Sequence, residues 1–164
     1  LSLAVSPAFA SDRTLFAGMY EGEVYKSTDG GASWSQAGTE LASQSIDQLV
    51  VSPAYITDQT IYAVTDSAGV YKSTNGGSSW NAANTGFAYG YVDVICLSPD
   101  YVSDGTLYAD EWGIYVSTNR GDSWSMLCSV PWRRYTKALT VTPDSSRLLF
   151  AVTDGQSAWR YSLP

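Results

Sequence analysis

The chain has 164 residues, of which 45% are apolar and 15% are charged. This length suits one domain of ordinary size, and the apolar fraction supplies enough side chains for a packed core. Sixteen acidic and nine basic residues give a net charge of −7. That balance argues against nucleic acid as a partner, since binding its backbone needs clustered Lys and Arg. No run of about 18 apolar residues is present, so no membrane-spanning helix is predicted.

The chain repeats one sequence unit of about 45 residues three times and adds a shorter fourth copy. Each unit opens with an apolar run that ends at Ser-Pro or Thr-Pro, and these runs begin at Leu3, Leu49, Ile95 and Leu139. Runs that are apolar throughout predict strands buried on both faces, and proline ends them because it cannot donate to a central ladder. The second segment of each unit is TLFAG, TIYAV, TLYAD or LLFAV.

A short turn then leads to the third segment, EVYKST, GVYKST or GIYVST, and a fourth segment begins at Trp34, Trp80 or Trp124. Four short antiparallel strands per repeat are typical of a β-propeller blade. The sequence therefore predicts an all-β chain of about 3.75 four-stranded antiparallel blades, a partial or half propeller. The predicted blades are 1–46, 47–91 and 92–135, with an incomplete blade at 136–164. No helix is expected between the strands, because no segment shows a 3.6-residue apolar period.

The third and fourth segments are joined by YKSTDGGASW at Tyr25–Trp34, YKSTNGGSSW at Tyr71–Trp80 and YVSTNRGDSW at Tyr115–Trp124. Glycine permits the positive φ of a tight turn, and Asp or Asn side chains accept hydrogen bonds from its N–H groups. Asn replaces Asp in two copies and cannot act as a general acid. We interpret the boxes as structural turns formed by Ser27, Asp29, Gly31, Trp34, Ser73, Asn75, Gly77, Trp80, Ser117, Asn119, Gly121 and Trp124.

These boxes resemble the Asp-box, or bacterial neuraminidase repeat, Ser-x-Asp-x-Gly-x-Ser/Thr-Trp. Residues 27–34 match it fully, and residues 73–80 and 117–124 match it with Asn for Asp. With the Ser-Pro strand, the resemblance covers essentially the whole chain and extends to sialidases, xyloglucanases, sortilin-type receptors and photosystem II assembly-factor-like propellers. It implies that the boxes lie away from the binding face. It also implies an extracellular or periplasmic location.

Closure of the propeller remains open at this stage. Propellers usually close with roughly four to eight blades. The chain is part of a longer propeller, or half of an eight-bladed ring formed by a homodimer, or a small four-bladed ring. A fragment or a half-ring is favoured, because the missing fourth strand of the last blade leaves an open sheet edge.

Loops between the second and third strands, and loops between blades, face the binding side in Asp-box propellers. They are also where the copies differ, which favours a functional role. The third blade stands out, because acids and aromatic residues replace the plainer loops of its neighbours. Aromatic faces with acids and a guanidinium suit carbohydrate or peptide recognition. The candidate ligand-binding residues are Asp110, Glu111, Trp112, Trp132, Arg133, Arg134, Tyr135, Tyr89 and Tyr91.

The alternative for this region is a plain surface, with the arginines paired to acids and Trp132 covering the sheet edge. Asp47 and Asp93, with Lys137 in the fourth unit, share one register at the start of the innermost strand. Ordinary solvation is the expected state of these three residues. No metal and no cofactor are predicted, since the chain has no histidine and only two cysteines, Cys96 and Cys128. Spacing alone leaves a disulfide between them open.

A catalytic role finds little support in the sequence. A glycosidase needs two carboxylates on either side of the scissile bond, whereas Asp110 and Glu111 are adjacent and tend to point apart. A sialidase would need three clustered arginines, and Arg133 and Arg134 have no third partner in register. The primary hypothesis is a non-catalytic module for protein or carbohydrate binding or for scaffolding. The alternatives are a fragment of a secreted glycoside hydrolase, xyloglucanase-like or sialidase-like, and a structural repeat in an extracellular assembly.

Overall fold

The computed structural model describes residues 1–130, 135–144, 147–154 and 158–163. All paired strands in these ranges are antiparallel neighbours in chain order. The first sheet contains β1 (Ser2–Val5), β2 (Leu15–Gly18), β3 (Val24–Ser27) and β4 (Ser35–Gln36). The second contains β5 (Ile46–Val51), β6 (Ile61–Thr65), β7 (Gly69–Ser73) and β8 (Asn81–Ala82).

The third sheet contains β9 (Val94–Leu97), β10 (Leu107–Asp110), β11 (Gly113–Ser117) and β12 (Ser125–Ser129). The fourth has three strands within the described residues, β13 (Thr136–Val141), β14 (Leu148–Thr153) and β15 (Ala158–Ser162). The chain divides into two compact units, Leu1–Ala83 and Asn84–Pro164, with two sheets in each. The residue boundaries proposed for the blades remain predictions.

One-turn helices interrupt the strands, and the expectation of no helix was wrong. They are α1 (Phe9–Asp12), α2 (Tyr55–Asp58) and α3 (Tyr101–Asp104), each between the first and second strands of its sheet. Each ends at a left-handed residue, at Arg13, Gln59 and Gly105. A helix of four residues is too short to show an apolar period.

Each helix is held by the same three residues, a serine, an aspartate and a threonine. In the first copy the Ser6 hydroxyl donates to Asp12 at 2.6 Å, and the Thr14 N–H donates to the other Asp12 oxygen at 2.9 Å. The second and third copies repeat this arrangement at Ser52, Asp58 and Thr60 and at Ser98, Asp104 and Thr106. The carboxylate thus satisfies turn donors that would otherwise be buried without partners.

Each unit has its own core between its two sheets. In the first unit, Leu49 and Ile61 of the second sheet pack with Phe16 and Val24 of the first. Trp80 joins them, and its indole N–H donates to the carbonyl of Ala37 at 3.1 Å. In the second unit, the core is formed by Val94, Tyr108, Ile114, Leu139, Leu149 and Ala151. Burying such side chains stabilises a fold by about 1.5–3 kcal/mol each.

The box turns are closed by their own side chains. The Ser27 hydroxyl donates to Asp29 at 2.8 Å and accepts the Gly31 N–H at 2.9 Å, while Asp29 accepts the Ser33 N–H at 2.9 Å. The second and third boxes keep these bonds, with Asn75 and Asn119 in the place of Asp29. The turn therefore uses the same side-chain oxygens that would have to be free for a catalytic role.

One bond of the box reverses direction between copies. The Ser33 hydroxyl donates to Asp29 at 2.5 Å, whereas the Asn75 amide donates to the Ser79 hydroxyl at 2.8 Å. Hydrogen bonds from Ser33, first from its hydroxyl and then from its N–H, lower the pKa of Asp29 from 3.8 to about 2. A hydroxyl both donates and accepts, so the same turn accommodates a carboxylate or an amide.

Candidate functional site

The candidate site begins at the two-residue turn, Glu111 and Trp112, between β10 and β11. The Glu111 N–H donates to the carbonyl of Gly113 at 3.0 Å and closes the turn. Trp112 has φ 54°, in the left-handed region that a bulky residue rarely adopts. In the first sheet, Gly22 with φ 86° stands two residues before Val24, as Trp112 stands before Ile114. A tryptophan thus occupies a position whose backbone favours glycine.

Glu111 lies beneath this turn and is 1% exposed. One of its carboxylate oxygens accepts the Ala88 N–H at 2.8 Å, and the other accepts the N–H groups of Tyr89, at 2.7 Å, and Gly90. Burial, followed by the charge of nearby Glu111, raises the pKa of Tyr115. Three consecutive N–H groups facing one carboxylate form an anion-binding backbone concavity, so Glu111 fastens the loop ahead of β9.

The same loop has a second anchor, Phe87. Its ring stacks on Trp124 with centroids 4.9 Å apart and meets Tyr115 edge-on at 5.2 Å. Gly86 has φ 99°, and a Cβ atom there would collide with the carbonyl oxygen of Trp124. The loop is therefore fixed on both sides of Tyr89, by the Phe87 ring before it and by the Gly90 N–H bond to Glu111 after it.

Tyr89 and Trp112 form an exposed ring pair. Their centroids lie 5.0 Å apart with planes inclined by 45°, and the two side chains are 64% and 55% exposed. Tyr91 and Tyr135 are also exposed, and the Lys137 ammonium lies 5.6 Å from the centre of the Tyr135 ring. Aromatic faces open to solvent next to each other offer a surface for stacking.

Asp110 is the second carboxylate assigned to the site from sequence, and it is also 1% exposed. The Thr136 hydroxyl donates to one of its oxygens at 2.5 Å, and the Gly113 N–H donates to the other at 3.2 Å. The Thr136 N–H donates to Asp93 at 2.8 Å. Asp110 and Asp93 thus connect the third and fourth sheets. The structure therefore corrects the ligand-contact roles expected for Asp110 and Glu111, since neither reaches solvent.

Trp132, Arg133 and Arg134 fall outside the described residues. Lys137 is exposed and lies 3.8 Å from Asp154, an ion pair of little energetic weight. Asp47 is exposed at the start of β5. In the described ranges, no group of three or more His, Cys, Asp or Glu is placed to hold a metal ion, and none of the helices has the length and apolar character of a membrane span.

No protein-family model matches the chain, and no curated protein matches it. The Asp-box assignment therefore rests on the residues of the boxes. Solved structures do match. The GH74 xyloglucanase from Xanthomonas campestris superposes with a TM-score of 0.71 and 16% identity, over 98% of this chain and 29% of that chain. The GH74 enzyme of Niastella koreensis gives a TM-score of 0.67 and 23% identity, over 99% and 28%.

YCF48 bound to a D1 peptide gives a TM-score of 0.66 and 15% identity, over 99% of this chain and 51% of that chain. The chain spans about a quarter to a half of the length of these proteins. At these identities the likeness defines the fold. Together with the sheet order, it shows an all-β partial propeller made of antiparallel blades.

Proposed function

We propose that the chain is a non-catalytic β-propeller module that binds a carbohydrate or protein ligand on the ring pair of the third blade. The exposed rings of Tyr89 and Trp112, 5.0 Å apart, are the observation that supports this. Such rings stack on the apolar faces of sugars and on peptide side chains, and Trp and Tyr are enriched among the residues that dominate binding energy. Tyr91 and Tyr135 are also exposed and belong to the same group of candidate residues.

Two structural neighbours illustrate the two ligand classes. One is a xyloglucanase, which acts on a glycan, and the other is bound to a peptide. Asp110 and Glu111 are buried and hydrogen-bonded within the fold, so they are unsuited to flank a glycosidic bond. This supports binding over hydrolysis at this surface.

The binding test compares ring deletions with a matched control. Trp112→Ala and Tyr89→Ala each remove one ring of the pair. Tyr20→Ala removes an exposed ring from the corresponding loop of the first sheet. On a glycan array and a peptide array, followed by titration of the best hits, we expect each pair variant to weaken binding about tenfold or more. The control should bind like wild type, and unchanged binding by both pair variants would refute the proposal.

A second candidate is a fragment of a glycoside hydrolase whose catalytic acids lie in a longer chain. The observation in its favour is that the chain covers only 28–29% of the two GH74 enzymes. Because the catalytic acids of this candidate would lie outside the present sequence, hydrolysis of xyloglucan has to be assayed on the longer chain that carries it. Release of reducing ends by that longer chain would favour the hydrolase, whereas none is expected of a binding module.

We also propose a partner for the exposed face of β1. Leu3 and Val5 are 66% and 51% exposed, whereas Leu49, at the equivalent place in β5, is buried against the first sheet. A blade from a second copy of the chain would pack against Leu3 and Val5 in the same way that the first sheet packs against Leu49 of β5. A location outside the cytoplasm is part of the proposal and is supported by the resemblance of the boxes to Asp-box propellers.

A further inference from the structure

Glu111 is a buried carboxylate that is hydrogen-bonded to Tyr115 of β11 and to the backbone of one loop. Its two oxygens accept the N–H groups of Ala88, Tyr89 and Gly90. Hydrogen bonds to an ionised acceptor are about twice as strong as those between neutral groups. The carboxylate therefore holds the backbone at the residue that carries one ring of the exposed pair.

One residue joins the loop of Tyr89 to the turn that carries Trp112. Glu111 precedes Trp112 in the β10–β11 turn, and its side chain holds the backbone of Tyr89, 22 residues away in sequence. Phe87 anchors the same loop against Trp124 and Tyr115. The backbone of Tyr89 is thus held on both sides, and its ring centre lies 5.0 Å from that of Trp112.

We propose that Glu111 is the positioning residue of the ligand surface, setting Tyr89 against Trp112 before a ligand arrives. The inference rests on the proposed function and deepens it, since it assigns to a buried carboxylate the spacing of the two rings. Ordering a loop in advance strengthens binding, because the ligand no longer bears the entropy cost of immobilising it.

The geometry makes a carboxylate better suited here than an amide. One oxygen serves Tyr89 and Gly90 and the other serves Ala88. A glutamine keeps one acceptor oxygen and turns an NH₂ group towards the remaining N–H, two donors facing each other. Glu111→Gln is therefore expected to hold Tyr89 and Gly90 and to release Ala88, while Glu111→Ala releases all three.

The first test measures the loop without any ligand. Amide hydrogen exchange by NMR should speed up at least about tenfold at Ala88, Tyr89 and Gly90 in Glu111→Ala, and chiefly at Ala88 in Glu111→Gln. The ring-current shift of the Trp112 indole N–H should shrink in Glu111→Ala. Glu21→Gln is the control, because Glu21 is an exposed carboxylate in the corresponding loop of the first sheet. Unchanged exchange in Glu111→Gln, the milder variant, would overturn the proposal.

The second test uses xyloglucan as the probe. Glu111→Ala should weaken binding about as much as Tyr89→Ala, and the double variant should be no weaker than Tyr89→Ala alone. Additive losses would mean that Glu111 acts by general stability and would overturn the inference. Failure of the wild type to bind xyloglucan counts against a xyloglucan ligand for the proposed function, and the exchange measurements still decide the role of Glu111.

Discussion

Trp112 combines a large exposed ring with a left-handed backbone, φ 54°. For a residue with a Cβ atom this conformation costs roughly 1–2 kcal/mol. Such backbone outliers concentrate at functional sites, where the surrounding structure holds them in place. Glu111 and Gly113 supply that restraint through the hydrogen bond that closes the turn. Under the proposed function, the ring of Trp112 serves binding and not stability.

A pair of variants isolates the backbone cost at Trp112. Trp112→Gly and Trp112→Ala both delete the ring, and only alanine keeps a Cβ atom in the left-handed region. We expect the glycine variant to be more stable by about 1 kcal/mol in urea unfolding. Equal stabilities, or a more stable alanine variant, would show that the turn relaxes out of the left-handed conformation.

Asp29 gives the first box an acid dependence that the other two lack. Its pKa in the folded protein is about 2, below the ordinary 3.8, because of the hydrogen bonds from Ser33 and Ser27. A lowered folded pKa contributes stability that is present above the unfolded value and is lost as pH falls through the folded one. This contribution therefore disappears between about pH 4 and about pH 2.

Asp29→Asn converts the first box into the chemistry of the other two. The variant should keep its melting temperature near neutral pH, since Asn75 and Asn119 close the same turn. It should lose less stability than wild type on acidification from about pH 4 to about pH 2. Melting curves across that range provide the measurement. An identical acid response in both proteins would contradict the assignment of this titration to Asp29.

The strands were predictable from sequence because each follows from local patterns repeated in register. Apolar runs, Ser-Pro endings and box turns gave the four-stranded sheets, which the sheet order and the structural neighbours confirm. The one-turn helices escaped prediction because their signal is polar, a Ser, Asp and Thr that bond to one another across a few residues. Position after a Ser-Pro ending is the feature that would have located them.

The candidate site was only partly predictable, for a physical reason. The loop that carries Tyr89 is held by contacts between Glu111 and N–H groups 21 to 23 residues away. No local pattern encodes such contacts. Adjacent Asp110 and Glu111 looked like surface acids, and their burial follows from Thr136 and from the backbone of the 88–90 loop.

The third sheet also decides the state of the cysteines. Cys96 lies on β9 and Cys128 on β12, the two edge strands of this sheet. Three strand spacings of about 4.8 Å separate these edges, too far for a disulfide. Both thiols are free, and burial raises the pKa of Cys96 to about 12.

Alkylation tests this placement. Protein unfolded in urea without reductant should take up two iodoacetamide groups, read by intact mass. In the folded protein, Cys96 should react slowly because its thiol stays protonated. Protein that takes up no iodoacetamide under these conditions would instead indicate a disulfide between Cys96 and Cys128.

For the whole molecule, the exposed face of β1 is the feature that bears on assembly. Leu3 and Val5 occupy the positions in β1 that Leu49 and Val51 occupy in β5, where both pack in the core of the first unit. We expect light scattering to give twice the mass of the chain, and Leu3→Lys with Val5→Lys to reduce it to that of a single chain. A matched change at exposed positions of α2 and α3, Ile56→Lys with Val102→Lys, should leave the mass unchanged. A monomeric wild type would refute the proposed second copy.

The box turn also has a chemical consequence for the ageing of the protein. Asn75 is followed by Gly76, the sequence most prone to deamidation, which requires the Gly76 nitrogen to attack the Asn75 side chain. In the folded turn that N–H donates to the carbonyl of Gln59 at 3.0 Å, and the Asn75 amide is bonded to Ser73 and Ser79. Deamidation at Asn75 should therefore occur only while this turn is open. The deamidated fraction of a stored sample then measures the total time that the turn has spent open.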